Sequence, residues 1–159
     1  MKFVRYIFKV LHYIKIFIIG IIHLKKLLEK IPEFRLSHWL VRLPLAIVFI
    51  QQGISKVPVN VDDAEIYNLP YLVWWFVAYG ELGAGLGLIA GGILSLSDKF
   101  FSWVGDLITR FSGFTIGCIM TGVIWIGEPE SFLEVMLYDN FHVFLWFGGL
   151  FFALRGSRT

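Results

Sequence analysis

Four stretches of this chain are apolar for long enough to leave water, and each holds ionisable side chains inside it or at its edges. They run from about His38 to Ser55, Tyr71 to Leu96, Phe101 to Ile126 and Tyr138 to Leu154. A bilayer core of ~30 Å takes about 20 residues of helix, so the second and third are ample and the fourth is short. In hydrocarbon every backbone polar group needs an internal partner, which an α-helix supplies within itself. Composition agrees: the 159 residues are 57% hydrophobic and 16% charged, where a soluble domain is nearer ~25% charged. The expected fold is all-α, an integral membrane four-helix bundle over residues 36–159, preceded by a basic amphipathic helix over residues 1–35.

Punctuation supports these limits. Pro58 follows the first stretch, Asn68-Leu69-Pro70 can cap and open the second, and Asp98 can cap the third. Ser131 and Glu134 form a capping-box pattern, so a short helix precedes the fourth stretch or merges with it. Orientation follows from charge. Residues 1–35 carry Lys2, Arg5, Lys9, Lys15, Lys25, Lys26, Lys30 and Arg35, and the C-terminus adds Arg155 and Arg158. The segments around 56–70 and 127–139 are acidic instead, with Asp62, Asp63, Glu65, Glu128, Glu130, Glu134 and Asp139. The positive-inside rule places both termini in the cytoplasm and the acidic loops outside. Tyr67, Tyr71, Trp74, Trp75, Trp125 and Tyr138 are the expected outer aromatic anchors, with Trp39 and Trp103 at the inner ends.

Within residues 1–35 the basic and histidine residues keep to one helical stripe, with Ile, Phe, Leu and Val elsewhere. The longest run free of charge or histidine, Ile16 to Ile22, is far too short to span. Lysines interrupt the apolar part and no small-x-small site follows, which argues against a signal peptide. Two readings stay open: a helix lying in the cytoplasmic interface against lipid phosphates, or one docked on a partner subunit.

Small residues prepare close helix packing. Gly83, Gly87 and Gly91 repeat the GxxxG step, Gly113 and Gly117 repeat it again, and Gly148-Gly149 lie in the fourth stretch. Packing within one chain is the first expectation and dimerisation the second. The single cysteine, Cys118, excludes an intrachain disulfide and a CxxC motif, and is expected as inert buried packing.

The polar interior is where function would sit, because a charge in hydrocarbon costs at least ~2.5–3.5 kcal/mol unless paired or hydrated. Arg42 lies about one turn inside the cytoplasmic boundary, so snorkelling to phosphates is its default explanation. Asp106 and Arg110 are four apart with the acid first, the favourable order for a helical ion pair. Lys56 ends the first stretch, where it can face outer water. Glu81 lies well inside the second stretch and must be protonated, paired or hydrated. Gln51, Gln52, Lys56 and His142 are its natural partners, since all belong to outer halves of their helices.

Much chemistry has no motif here. His12, His23, His38 and His142 show neither a paired spacing nor a helical acid–histidine motif, so metal or haem is weakly supported. No glycine-rich strand-to-helix loop offers a nucleotide site, and no Ser-His-Asp arrangement is visible. The basic N-terminus suits a membrane rather than nucleic acid, since no recognition fold accompanies it. A small apolar bundle with a few polar side chains suits an amphipathic molecule, with a quinone or a bound lipid the obvious candidates.

Arg42-Leu43 followed by Gly53-Ile54-Ser55-Lys56, then Glu81-Leu82-Gly83-Ala84-Gly85-Leu86, resemble the first- and second-helix signatures of the DoxX/DoxD family. Arg110, in the region of a basic residue opening the third helix, and the Arg155-Gly156 tail extend the resemblance over roughly residues 38–157. The usual tail ending is not reproduced, and the long basic N-terminal helix exceeds the typical family start, as in a member adapted to a larger assembly. The family consists of four-helix bacterial and archaeal membrane proteins, which implies a prokaryotic inner (cytoplasmic) membrane. Its members include a subunit of a thiosulfate:quinone oxidoreductase. The resemblance makes Arg42, Lys56, Glu81 and Arg110 candidates for lining a quinone-like site, with Gln52 and His142 beside Glu81. It assigns no catalytic residue. Two roles follow: a subunit of a quinone-linked redox complex, or a non-catalytic accessory subunit that stabilises a larger membrane complex. A small transporter or lipid carrier ranks last, since four helices leave little room for alternating access.

Overall fold

The computed structural model describes residues 15, 18–21 and 36–157, and the regular elements among them are helices. In chain order they are α1 (Trp39–Ser55), α2 (Val61–Ile66), α3 (Tyr71–Leu94), α4 (Lys99–Ile126), α5 (Phe132–Tyr138) and α6 (Asn140–Arg155). The chain divides into two units, Met1–Arg35 and Leu36–Thr159. The amphipathic helix expected over residues 1–35 lies outside the described residues, except for 15 and 18–21, which are helical and exposed.

The helices differ in how far they reach. α3 and α4, with 24 and 28 residues, are each long and apolar enough to cross a membrane. α5 and α6 pass the same test only as a pair, bent by 103° at their junction. α1 is apolar but has 17 residues, about 25 Å of helix. Length and composition therefore give two crossings outright, and three when the bent pair counts as one. The fourth stretch, expected from about Tyr138 with a short helix preceding it or merging with it, begins at Asn140, and α5 is the short helix that precedes it.

Local chemistry explains most of the boundaries. Val57-Pro58, a cis peptide, follows α1. Asn60 then opens α2, its side chain accepting from the Asp63 N–H at 2.7 Å, while Asp62 and Asp63 favour the positive end of the helix dipole. α3 starts directly after Pro70; the expected cap from Asn68 does not form, because Asn68 sits in the left-handed region at φ 53°. Asp98 holds the N-cap position of α4 without a side-chain cap bond. Ser131 caps α5 through the Glu134 N–H at 3.2 Å, and Glu134 Oε2 accepts from the Glu130 N–H at 2.7 Å. The capping box is thus present, shifted by one residue on its return bond.

α1 packs on α3, α3 on α4 and α4 on α6, with a sparser contact between α1 and α6. Glycine decides how close they come. A Cβ on Gly105 would lie 2.6 Å from the Gly91 carbonyl oxygen, and one on Gly113 would lie 2.6 Å from that of Gly149. Gly83, the first member of the expected GxxxG series, has nothing within 4 Å. The small-residue faces of Gly87, Gly91 and Gly113 are spent inside the chain. Leu45, Ala46, Phe49, Ala84, Leu88, Ile116, Met120, Leu145 and Phe152 form the core between them.

The register of α1 on α3 positions the site. Gly53 lies against Leu82 and Ala78, Gly85 against Ala46 and Ile50, and Gly92 against Trp39 and Arg42. α1 therefore stops beside Ala78, and residues 71–77 of α3 run on beyond it for ~10 Å. The surface is apolar: Leu72, Phe76, Phe111, Phe114 and Phe144 are all exposed, as lipid contact requires and water does not permit. Cys118 belongs to that surface, so the expected burial of its thiol is corrected.

Candidate functional site

The ionisable residues of the spans fall into two clusters. Because α1 stops beside the middle of α3, Lys56 at its C-cap turns inward rather than to outer water. Its Nζ lies 2.6 Å from Glu81 Oε2, and the two side chains are 14% and 4% exposed. The same ammonium donates to the Gln52 carbonyl at 3.2 Å and to Gln52 Oε1 at 3.3 Å. It also lies 5.6 Å from the centre of the Trp74 ring, which stacks on Tyr67. Trp74 is buried, and among the described residues its indole N–H has no hydrogen-bond partner. A cation, a carboxylate, an amide and an aromatic wall thus meet at mid-depth of α3. Isolated, Glu81 or Lys56 would be an expensive buried charge; together they satisfy one another.

The second cluster forms around Arg42, which is 0% exposed. Snorkelling is therefore corrected: the guanidinium turns inward. It donates through Nη1 to the Leu88 carbonyl and to Thr109 Oγ1, and through Nη2 to Ser157 Oγ at 2.8 Å. The Phe152 and Trp39 rings flank it at 4.6 and 5.4 Å, a cation–π arrangement that offsets lost hydration. Asp106 joins this cluster to the segment after α6, with Oδ1 accepting from the Ser157 N–H at 2.8 Å and Oδ2 from Arg110 Nε at 3.0 Å. Arg110 also donates to the carbonyls of Ala153, Leu154 and Arg155, and so caps α6. Gly156 passes over the pair at φ 70°, where a Cβ would strike Asp106 and Arg110.

The six residues expected to share one site are thus divided. Gln52, Lys56 and Glu81 come together. Arg42 and Arg110 belong to the other cluster, anchored on α3 at Leu88 rather than Glu81, about 10 Å along the helix. His142 joins neither, its Nδ1 lying 2.7 Å from Asp139 Oδ1. That pair is the acid–histidine step of three residues that the sequence reading passed over. Thr109, Ser157, Trp39 and Phe152 were also missed. No sequence signal marks them, because only the burial of Arg42 creates the need for these partners.

Membrane-capable helices with an apolar exterior and charges turned inward define an integral membrane protein of the all-α class. The DoxX family model matches residues 38–102, and over that stretch the chain is similar to DoxX proteins. The match takes in α1, α2, α3 and the first turn of α4, and with them Arg42, Gln52, Lys56 and Glu81. No curated protein and no solved structure matches the chain.

Proposed function

We propose that this protein is a small multi-pass subunit of a quinone-linked redox complex in a prokaryotic inner membrane, with both termini cytoplasmic and α1 and α6 crossing beside α3 and α4. The observation that carries this reading is the buried Lys56–Glu81 pair, 2.6 Å apart against the Trp74 ring. The donor set suits a quinone headgroup: an ammonium and an unpartnered indole N–H offer hydrogen bonds to carbonyl oxygens, and a carboxylate accepts from hydroxyls. A quinone, when bound, supplies two-electron, two-proton acceptance. Lys56 orients a carbonyl-bearing head, Glu81 holds or releases the proton, and the surrounding apolar side chains keep bulk water out. Arg42 and Arg110, closed on backbone and tail, keep the helices in register in this reading.

Glu81→Gln preserves size and a hydrogen-bond acceptor while removing the charge. Quinone-linked turnover in membranes should fall at least tenfold, with the amount of assembled complex unchanged. Undiminished turnover would refute the assignment. One observation favours a second reading, a non-catalytic accessory subunit: Lys56 and Glu81 pair with each other, and Arg42 and Arg110 donate to the chain's own oxygens.

A further inference from the structure

The junction between α5 and α6 carries an interaction surface that the proposed redox role does not use. α5 turns away from α6 by 103°, so with α6 embedded along the membrane normal α5 runs close to the membrane plane. Val135 is the buried residue that holds α5 to the rest of the protein. On its other sides Phe132, Leu133, Leu137 and Tyr138 are exposed, Phe132 to 71% and Tyr138 to 83%. Four large apolar side chains on a seven-residue helix are far too many for a water-facing turn. The helix is nonetheless well made, closed by the Ser131 cap and the return bond from Glu134.

We infer that α5 is an interfacial anchor, lying in the headgroup–acyl boundary of an electrically neutral leaflet with Phe132, Leu133, Leu137 and Tyr138 immersed. Continuity decides for lipid over protein as the occupant. The exposed face of α5 runs on from Trp125 and Ile126 at the end of α4 to Phe141 and Phe144 of α6, all exposed members of the lipid-facing belt. Trp125 and Tyr138 are the residue types that settle at headgroup level. Charge selects the lipid. Glu128, Glu130, Glu134 and Asp139 surround the helix, and no Lys or Arg occurs from Gly127 to Leu154, so anionic headgroups are repelled and zwitterionic ones are not.

The test uses the full chain with Cys118 replaced by serine and one nitroxide-labelled cysteine introduced at a time: E128C, E130C, F132C, L133C or L137C. All five positions are exposed, so packing at Val135 is left alone. In phosphatidylcholine vesicles, accessibility is read by power saturation against oxygen, which partitions into lipid, and a nickel chelate, which does not. Positions 132, 133 and 137 should favour oxygen several-fold over positions 128 and 130. Nickel access equal at all five positions puts α5 in water and overturns the anchor. Poor access to both reagents at 132, 133 and 137 means that protein covers the face, and overturns it equally. In phosphatidylglycerol vesicles the oxygen preference should shrink; an unchanged profile overturns the selection for a neutral leaflet.

Discussion

Glu81 and Lys56 illustrate how an ionisable residue survives in an apolar setting. Each is tolerable only in the presence of the other, so stability should be lost by single substitutions and largely regained by the double. Lys56→Met alone leaves Glu81 without its ammonium and should cost about 3–5 kcal/mol. Lys56→Met with Glu81→Leu removes both charges and should recover most of that loss, as thermal unfolding in detergent will show. Equal melting temperatures for the single and double variants would mean that the pair is not coupled. The need for a partner at Glu81 was legible in the sequence, but Lys56 was one of four candidates and could equally have faced outer water. The inward turn of Arg42 was not legible. One turn from a boundary, snorkelling and burial demand the same residue, and only the position of Ser157, far along the chain, separates them. Asp106 and Arg110 were legible at four residues' spacing, but not the carbonyls of Ala153, Leu154 and Arg155 that Arg110 also holds.

Helices reveal the limits of pattern differently. The boundaries of α3 and α4 were readable from Pro70, Asp98 and the apolar runs, since long periodic segments with strong stop signals leave few alternatives. α2 went unseen. Six residues with three acids read as loop, and only the Asn60 cap announces a helix. The bend before α6 was hidden for the opposite reason, since apolar residues continue on both sides of Asp139. Glycine spacing announced close packing without saying which glycines face which helix. The structure makes that distinction testable. Gly105→Ala would force a Cβ against the Gly91 carbonyl and should destabilise the α3–α4 contact by about 1–3 kcal/mol. Gly83→Ala enters open space and should be neutral or stabilising by up to about 1 kcal/mol through helix propensity. Unfolding curves of the two variants check both, and loss of a dimer on Gly83→Ala would instead reveal an intermolecular use of that face.

At the scale of the whole molecule, the two proposed roles part company over the N-terminal unit. If the protein is an accessory subunit held through residues 1–35, removing residues 1–30 should release it from its partner complex while the unit from Leu36 onward stays folded. Co-purification from native membranes measures this directly, and retention of the truncated chain would count against docking. A redox subunit that relies on Lys56 and Glu81 should keep its ligand through the same truncation.

The Arg42–Ser157 bond joins residues 115 apart in sequence, and this has a consequence for how the protein is made. α1 enters the membrane with its guanidinium unsatisfied, and Ser157 leaves the ribosome 115 residues after Arg42. Until then Arg42 lacks an acceptor that its native position requires, and α1 carries a charge the bilayer resists. Emergence of Ser157 is therefore also the step that closes the polar core, and a nascent chain halted before it exposes an intramembrane arginine for quality control to find.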